Sequence, residues 1–154
     1  MIENHLTKPG TGTLEIYTDG ASRGNPGPAA YAFIFVRDGS VTVEESSFIG
    51  TATNNTAEYS AIIAAVRRAR ESAEPSVVVC SDSELVIRQI TGRYRIRQPH
   101  LAELRAGLAR LEQQFSSISY RNVTRENPLI RRCDELCNAT LSAHQRSARR
   151  SERW

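Results

Sequence analysis

The segment from Leu14 to Pro28 constrains the fold more than any other part of the chain. Its first half, which ends at Asp19, alternates between apolar and polar side chains and predicts a β-strand. A run rich in Gly, Ser, Asn and Pro follows at once, which is typical of a turn. The sequence therefore predicts a carboxylate presented at the end of a strand. Asp-Gly is also a common turn dipeptide, so by itself Asp19-Gly20 fits a structural role equally well.

The hydrophobic pattern changes period along the chain and predicts three strands before the first helix. Two further strands, Ala29–Arg37 and Val41–Gly50, would form an antiparallel meander with the first. From Thr56 the apolar residues recur at helical spacing, with Asn55 or Thr56 as the N-cap. The remaining predicted elements are a central strand, a short helix, a longer helix, a fifth strand and a last helix, at Ser76–Ser81, around Leu85–Ile90, after Pro99, at Ser117–Thr124 and from near Ile130. The order β-β-β-α-β-α-α-β-α predicts an α/β (mixed α+β) fold in which helices flank a mixed sheet.

Length and composition indicate one domain. The chain has 154 residues, of which 40% are hydrophobic and 24% charged, and this suits a single core. We expect a flexible leader over residues 1–12, a domain over residues 13–144 and a basic, non-periodic tail over residues 145–154. No window approaches the roughly 18 consecutive apolar residues of a membrane span, and the N-terminus lacks an apolar signal-peptide core. We therefore expect a cytoplasmic protein without membrane contact.

The three cysteines are interpreted as buried thiols. Their number is odd, and Cys133 and Cys137 lie four apart on a predicted helix, which argues against a disulfide framework. The three histidines lack the spacing that a zinc site shared with these cysteines would need.

The formal net charge of +3 is unevenly distributed along the chain. The last ten residues contain four arginines and one glutamate, and a second basic run holds Arg88, Arg93, Arg95 and Arg97. Such runs are commonly solvated faces, and the functional alternative is a polyanionic partner.

Three more acidic residues stand at the borders of predicted elements. Glu58 falls in the first turn of the first helix, Asp82 directly after the central strand, and Asp134 in the early turns of the last helix. Each has a structural explanation, because acidic side chains complement a helix dipole or cap a helix. The functional alternative is a carboxylate cluster at the sheet edge where open α/β sheets bind ligands. Crowded carboxylates repel one another unless a divalent cation neutralises them, and hard oxygen ligands suit Mg²⁺ or Mn²⁺.

The neighbours of these acids form four blocks with a family resemblance. TDGASRGNPGPAAYAF, ATNNTAEYSAIIAA, VVVCSDSELV and RRCDELCN, in this order and at these spacings, resemble the signature blocks of ribonuclease H of type 1. The resemblance covers about Leu14 to Ala143. It implies the ribonuclease H-like fold, in which a five-stranded mixed sheet brings the four acids together.

The resemblance also implies an activity. Asp19, Glu58, Asp82 and Asp134 take the places of the family's catalytic, metal-binding carboxylates. Two Mg²⁺ or Mn²⁺ ions would then support hydrolysis of the RNA strand of an RNA/DNA hybrid, leaving 5′-phosphate and 3′-hydroxyl ends. The expected partner is the hybrid, with no obligatory protein partner, and we expect a monomer.

Residues that contact the hybrid are implied in the same way. Asn25, Asn54 and Asn55 match positions that contact its sugars and phosphates, and Thr53 matches one that helps to hold a phosphate of the DNA strand. Backbone groups of the turn that begins at Gly20 are suited to bind the 2′-hydroxyl, which distinguishes RNA from DNA. Without the resemblance, these residues fit turn chemistry equally well.

The chain departs from the family pattern at three places. The loop Thr124–Arg132 lacks the histidine that often precedes the last acid, and Arg125 and Glu126 are the candidate auxiliary residues there. Glu84 stands where the family often has a glutamine that contacts RNA. The long basic handle of some members is missing, since only the segment Arg93–Pro99 joins the two helices.

Two rival functions remain open from the sequence. A catalytically silent ribonuclease H-like module that binds nucleic acid or protein has the same fold, although it has no reason to retain all four acids. Another nuclease or a strand-transfer enzyme of the same superfamily fits the carboxylates but not the NPGP and TNN segments.

Overall fold

We describe the protein from a computed structural model, over residues 12–152. The leader predicted for residues 1–12 therefore lies outside the described residues, except for Gly12. The helices and strands are β1 Leu14–Ser22, β2 Gly27–Arg37, β3 Ser40–Ala52, α1 Asn54–Glu71, β4 Ser76–Ser81, α2 Glu84–Ile90, α3 Pro99–Glu112, β5 Ser117–Asn122 and α4 Pro128–Glu152. The predicted element order is confirmed.

The five strands form one mixed sheet in the order β3-β2-β1-β4-β5. β1 pairs antiparallel with β2, and β2 antiparallel with β3, as expected for a meander. On its other side β1 pairs parallel with β4, and β4 parallel with β5. The parallel ladder between β1 and β4 ends at the pair Tyr17 and Cys80. β1 is therefore the central strand, with neighbours of opposite direction on its two sides.

Helices cover both faces of this sheet. On one face α1, α2 and α3 pack against β1, β2 and β4, and this core includes Ile16, Phe33, Tyr59, Val79 and Leu108. On the other face α4 covers the sheet, with Ile130, Cys133, Cys137 and Leu141 buried against small and branched side chains of β1, β2 and β4. The three cysteines are free thiols and buried, as interpreted from the sequence. Among the described residues, no helix is long and apolar enough to cross a membrane.

The strands that end near the functional edge differ from their predicted bounds. β1 continues to Ser22 rather than ending at Asp19, because β2 goes on pairing with it as far as Ser22 and Ala29. β5 ends at Asn122 rather than Thr124, because β4, its partner in the sheet, ends at Ser81. Asp19 is therefore paired with β2, at Ala32, but lies beyond the last residue of β1 that is paired with β4.

Helix α1 begins two residues earlier than predicted. Thr53 is its N-cap, and the Thr53 Oγ1 accepts a hydrogen bond from the Thr56 N–H at 3.2 Å. The predicted caps, Asn55 and Thr56, are helical residues. Glu58 consequently lies in the second turn and not in the first, and the first turn contains no acidic residue. A helix-dipole role, which is confined to the first turn, does not account for Glu58.

Helix α4 runs to Glu152, through the segment that the sequence presents as a non-periodic tail. Residues 145–152 continue a helix that is already docked on the sheet. Extending an existing helix avoids the unfavourable nucleation step that a separate helix would need. The segment is also rich in good helix formers, Gln, Arg, Ala and Glu. Helical propensity is therefore sufficient here without an apolar stripe. Residues 153 and 154 of the predicted tail lie outside the described part of the chain.

Candidate active site

Three carboxylates converge at one edge of the sheet. Asp19 on β1, Glu58 on α1 and Asp82 after β4 each offer an oxygen, and these three oxygens lie within 4.8 Å of one another. Asp19 and Asp82 each lie two residues beyond the last pair of the parallel β1–β4 ladder, formed by Tyr17 and Cys80. Side chains two residues apart on a strand share a face, so the parallel register brings both acids to the same edge. The structure thus brings together three of the four predicted acids.

Glu58 reaches this edge because β1 and α1 approach each other very closely at Gly20. The Gly20 N–H donates a hydrogen bond to Glu58 Oε1 at 2.6 Å. A Cβ atom at residue 20 would overlap the backbone of Ala57 and Glu58. Only glycine is compatible with this approach. Because its N–H is already engaged by a carboxylate, that group of Gly20 is not free to bind RNA.

The turn that carries Asp82 is held by its neighbours on both sides. The Ser83 N–H donates to Ser81 Oγ at 3.1 Å. At the end of β5, the Asn122 Nδ2 and the Val123 N–H donate to the Ser81 carbonyl at 3.1 and 2.9 Å. Ser83 is the N-cap of α2, so helix capping does not account for Asp82. The side chain of Asp82 is 14% exposed and faces the cleft that the acids line.

The cluster raises the pKa of its buried members. Burial, followed by the charges of Asp82 and Asp134, raises the pKa of Asp19 to about 7. Burial, followed by the charges of Asp19 and Asp82, raises the pKa of Glu58 well above its usual value. The Gly20 N–H and the Arg125 guanidinium oppose both shifts without cancelling them. A divalent cation would relieve this repulsion, and a set of carboxylate oxygens suits a hard cation, so the residues present fit a metal centre.

Asp134 stands apart from the other three acids. It is exposed on α4 and lines the same cleft, but it does not belong to the group whose oxygens lie within 4.8 Å. Its Oδ2 accepts a hydrogen bond from the Asn138 Nδ2 at 3.3 Å, one helical turn further along α4. The structure therefore places the fourth predicted acid at the border of the cleft.

The acids lie in an open cleft of about 610 Å³. Its lining residues are Asp19, Gly20, Asn54, Asn55, Glu58, Asp82, Ser83, Arg125, Glu126, Ile130, Arg131 and Asp134. The predicted residues Asn25, Thr53 and Glu84 do not line it. Thr53 caps α1, and Glu84 forms an ion pair with Arg88 at 2.8 Å.

Asn25 and Asn54 connect the β1–β2 turn to the start of α1. Asn25 Oδ1 accepts a hydrogen bond from the Asn54 N–H at 2.9 Å. Asn54 Oδ1 accepts from the Ser22 N–H at 2.9 Å and from the Ser22 hydroxyl at 3.1 Å. Because backbone N–H groups are obligate donors, they orient both amide oxygens inward. Among residues 12–152, neither Nδ2 group has a protein acceptor, so each is available as a donor. Asn54 lines the cleft, whereas Asn25 does not.

Comparison with known proteins now identifies the family. Residues 11–139 match the family model of RNase H. The chain belongs to the RNase H family. Ribonuclease HI of Halobacterium salinarum is 40% identical over 131 residues, which are 84% of this chain and 65% of that protein. Bifunctional protein Rv2228c of Mycobacterium tuberculosis is 39% identical over 135 residues, 86% of this chain and 36% of that protein.

The RNase H chain therefore spans about a third of Rv2228c and slightly less than two thirds of the Halobacterium protein.

Solved structures of RNase H proteins have the same fold as this chain. The crystal structure of RNase H1 from Halobacterium salinarum has a TM-score of 0.82 at 39% identity and covers 86% of this chain and 99% of that chain. LC11-RNase H1, crystallised in complex with an RNA/DNA hybrid, has a TM-score of 0.81 at 34% identity and the same coverage. The predicted ribonuclease H-like fold is confirmed.

In this member of the RNase H family, the loop before the last acid contributes a cation to the cleft. Arg125 is 88% exposed, and its Nε lies 3.7 Å from Asp82 Oδ2. Glu126 lines the cleft beside it. Both predicted auxiliary residues are thus brought to the site, where the family's histidine is missing.

Sequence reasoning missed several residues near the acids. Ser83, Ile130 and Arg131 also line the cleft. Helical spacing is the signal that could have identified Arg131, because it precedes Asp134 by three residues and thus shares its face of α4. Asn138, which contacts Asp134, follows it by four residues on that same face. The role of Asn122 has no local signal, because its partner Ser81 lies on another strand.

Proposed function

We propose that the chain is an endoribonuclease that hydrolyses the RNA strand of RNA/DNA hybrids and leaves 5′-phosphate and 3′-hydroxyl ends. The observation that carries the proposal is the convergence of Asp19, Glu58 and Asp82 within 4.8 Å in a member of the RNase H family. The hybrid bound to LC11-RNase H1, a structure with a TM-score of 0.81, supports the choice of substrate.

The metal ions of the proposed site are Mg²⁺ or Mn²⁺, two during catalysis. Asp19, Glu58 and Asp82 would hold them, with Asp134 at the border of the cleft as a further ligand. When bound, such ions supply an activated water and neutralise charge on the leaving oxygen. The acids favour such cations for an electrostatic reason. A bound cation would stabilise the charged carboxylates and so lower the raised pKa of Asp19 and of Glu58.

The chain's own groups hold these acids in place for the reaction. The Gly20 N–H fixes the Glu58 carboxylate by donating to its Oε1. The bonds of Ser83 and Asn122 to Ser81 fix the turn that carries Asp82. Such preorganisation lowers the barrier because the site does not have to reorganise during the reaction.

Recognition of the hybrid is proposed for two adjoining surfaces. The Nδ2 donors of Asn25 and Asn54 are suited to the 2′-hydroxyl and phosphates of the RNA strand. A second groove of about 480 Å³ adjoins the cleft at Asn55 and is lined by Arg93, Tyr94, Arg95 and Arg97, among others. Tyr94 is 44% exposed, and arginines with an exposed aromatic ring suit the DNA strand in place of the missing handle.

A cleavage assay tests the proposal. Labelled RNA/DNA hybrid, double-stranded RNA and double-stranded DNA are incubated with Mg²⁺, with Mn²⁺ and with excess chelator. We expect metal-dependent cutting of the RNA strand of the hybrid alone. Equal cutting of double-stranded RNA, or undiminished cutting in chelator, would overturn the proposal.

Asp82→Asn provides the matched inactive variant. Its amide has the same shape but no charge, so it cannot hold the cations. We expect loss of nearly all turnover. In chelator the melting temperature should be at least that of the wild-type chain, because the variant lacks the Asp82 charge that repels Asp19 and Glu58. This variant also separates the proposed enzyme from a silent binding module, because a module would bind hybrid without cutting it in both forms.

A monomer in the cytoplasm remains our proposal, and the oligomeric state is measured by light scattering.

A further inference from the structure

Arg23 connects the turn between β1 and β2 to three successive turns of α4. Its Nη1 donates to Gln145 Oε1 at 2.6 Å. Its Nη2 donates to Ser142 Oγ at 3.0 Å and lies 3.3 and 3.4 Å from the carbonyl and side-chain oxygens of Asn138. None of the ion pairs within residues 12–152 includes Arg23. The half-buried Arg23 guanidinium thus donates hydrogen bonds to neutral acceptors on α4 and forms no ion pair among these residues.

These acceptors lie on a polar stripe of α4 that begins at the cleft. Asn138, Ser142 and Gln145 follow Asp134 at intervals of four, four and three residues, so all four share one face of the helix. The Asn138 Nδ2 donates to Asp134 Oδ2, while the Asn138 Oδ1 faces Arg23. One amide therefore links the Arg23 guanidinium to the cleft-lining carboxylate. Without Arg23, the Asn138 amide would lose the donor that faces its Oδ1.

The other end of the Arg23 connection is the turn that presents Asn25. The Arg23 N–H donates to the Pro28 carbonyl at 2.8 Å, which closes the turn. Asn25, two residues after Arg23, accepts from the Asn54 N–H at the start of α1. Gly24 in the same turn has a φ of +104°, and a Cβ on Gly27 would overlap the Arg23 carbonyl. This turn is exposed at residues 24–26, and two side chains anchor it: Asn25 to the start of α1 and Arg23 to α4.

Helix α4 is a firm base for this anchor. Cys133, Cys137 and Leu141 are buried against the sheet on the adjoining face of the helix. Near its outer end, the His144 ring stacks on Phe48 of β3 with the ring centroids 3.7 Å apart. Gln145 follows directly, and its side chain bonds Arg23. The first residue of the predicted tail, Gln145, thus supports the site.

We infer that Arg23 is a positioning residue, which holds the hybrid-binding turn and the Asp134 carboxylate in register with each other through α4. The inference rests on the proposed function for its catalytic consequence, but the hydrogen-bond link that it describes does not. The planar guanidinium is essential to it, because its two terminal nitrogens bond different turns of the helix at the same time. A lysine keeps the charge but provides a single nitrogen.

The experiment compares Arg23→Met and Arg23→Lys with the wild-type chain. Arg132→Met is the matched control, since Arg132 also connects α4 to the sheet, through Glu44, but does not line the cleft. The local readout is amide hydrogen exchange at Ser22 and Asn54, whose N–H groups bond the Asn54 and Asn25 side chains. The kinetic readouts are kcat and KM on the hybrid.

We expect Arg23→Met to accelerate exchange at Ser22 and Asn54 by about tenfold and to lower kcat/KM by about tenfold, with a higher KM and a lower kcat. Arg23→Lys should recover less than half of each loss. Arg132→Met should leave both kinetic constants within about twofold, whatever its melting temperature. Asn138→Ala removes the link to Asp134 but leaves Arg23 bonded to Ser142, Gln145 and the residue 138 carbonyl, so it should lower kcat and leave KM nearly unchanged.

Full recovery by Arg23→Lys would overturn the inference, because charge alone would then be sufficient. Unchanged exchange at both amides in Arg23→Met would also overturn it. A wild-type chain that does not cut hybrid would refute the proposed function instead, and the exchange measurement would still decide the role of Arg23.

Discussion

At the scale of single residues, Asp19 carries a large part of the electrostatic cost of the site. It is 7% exposed, and burial beside two other acids raises its pKa from 3.8 to about 7. In the unfolded chain the carboxyl has its ordinary pKa and binds fewer protons than in the folded chain between these values. The free energy of unfolding therefore falls as the pH rises from about 4 to about 7. A bound divalent cation would offset this repulsion between the acids.

We expect metal-free protein to lose a few kcal/mol of unfolding free energy between pH 5 and pH 8, since one pKa unit corresponds to about 1.4 kcal/mol. Asp19→Asn cannot ionise and should show a clearly smaller fall. Mg²⁺ should restore part of the lost stability of the wild-type chain at pH 8. Urea denaturation in chelator at several pH values measures each fall. The same pH slope in wild-type and Asp19→Asn protein would contradict the prediction.

Arg125 is the second residue whose role can be measured directly. Its guanidinium stays charged at all working pH values, so it cannot transfer a proton as a histidine can. At 3.7 Å from Asp82 it can attract the scissile phosphate or assist departure of the product. Because its side chain is 88% exposed, its influence is screened by solvent and should be modest.

We expect Arg125→Ala to lower kcat by roughly tenfold, or about 1.4 kcal/mol, far less than loss of an acid. Glu126→Ala is the companion variant, because Glu126 lines the cleft beside Arg125 and could relay a proton. Steady-state kinetics on the hybrid separate the two residues. If both variants keep wild-type constants, the loop has no part in turnover.

At the scale of the elements, the site depends on the contact of β1 with α1. The strand carries Asp19, the helix carries Glu58, and Gly20 is the point at which their backbones meet. A side chain there would force the two elements apart and separate the acids. Gly107 on α3 is the contrasting case, because the nearest atom to a Cβ there is the end of the Arg110 side chain at 3.7 Å.

Gly20→Ala is therefore expected to destabilise the fold by about 2 to 4 kcal/mol, as overpacking against backbone does, and to abolish activity. Gly107→Ala should instead stabilise it by about 0.5 to 1 kcal/mol, because alanine is the better helix former. Chemical denaturation of both variants measures the two effects. A Gly20→Ala protein with wild-type stability would show that the close approach of β1 and α1 is not required.

At the scale of the whole molecule, exposed positive charge lies in the groove beside the cleft and on the last turns of α4. The groove with Arg93, Arg95 and Arg97 adjoins the cleft at Asn55. On α4, the exposed residues Arg146, Arg149 and Arg150 follow the segment that anchors Arg23. Because these three are helical and exposed, their replacement leaves the fold undisturbed. We expect them to contact phosphates without reading the base sequence.

Replacing Arg146, Arg149 and Arg150 by glutamine should raise KM, leave kcat nearly unchanged and reduce the salt dependence of KM. The logarithmic slope should fall by about 0.7 to 0.9 for each phosphate that the variant no longer neutralises. A charge-matched control replaces Arg67, Arg70 and Arg110, exposed residues that line a separate groove between α1 and α3. KM measured from low to high salt decides the matter, and equal slopes in the two triple variants would exclude a specific role for α4.

Features that depend on neighbouring residues could be predicted from the sequence. Alternation and helical spacing define the element order, and the four blocks around Asp19, Glu58, Asp82 and Asp134 identify the family. The predicted ends of β1 and β5 were less accurate, because each strand ends where its pairing with a neighbouring strand ends. The helix beyond residue 144 was missed because propensity, and not an apolar stripe, continues it.

The contacts between distant residues became apparent from the folded structure alone. The bond of Gly20 to Glu58 joins residues 38 apart, and that of Arg23 to Gln145 joins residues 122 apart. No local pattern specifies such pairs, because they arise when a parallel register and two docked helices bring distant segments into contact. For the same reason, the sequence grouped four acids as equivalent, whereas packing buries Asp19 and Glu58 and leaves Asp134 exposed on α4. Burial, which a sequence does not specify residue by residue, is what raises the pKa of Asp19 and creates the demand for a cation.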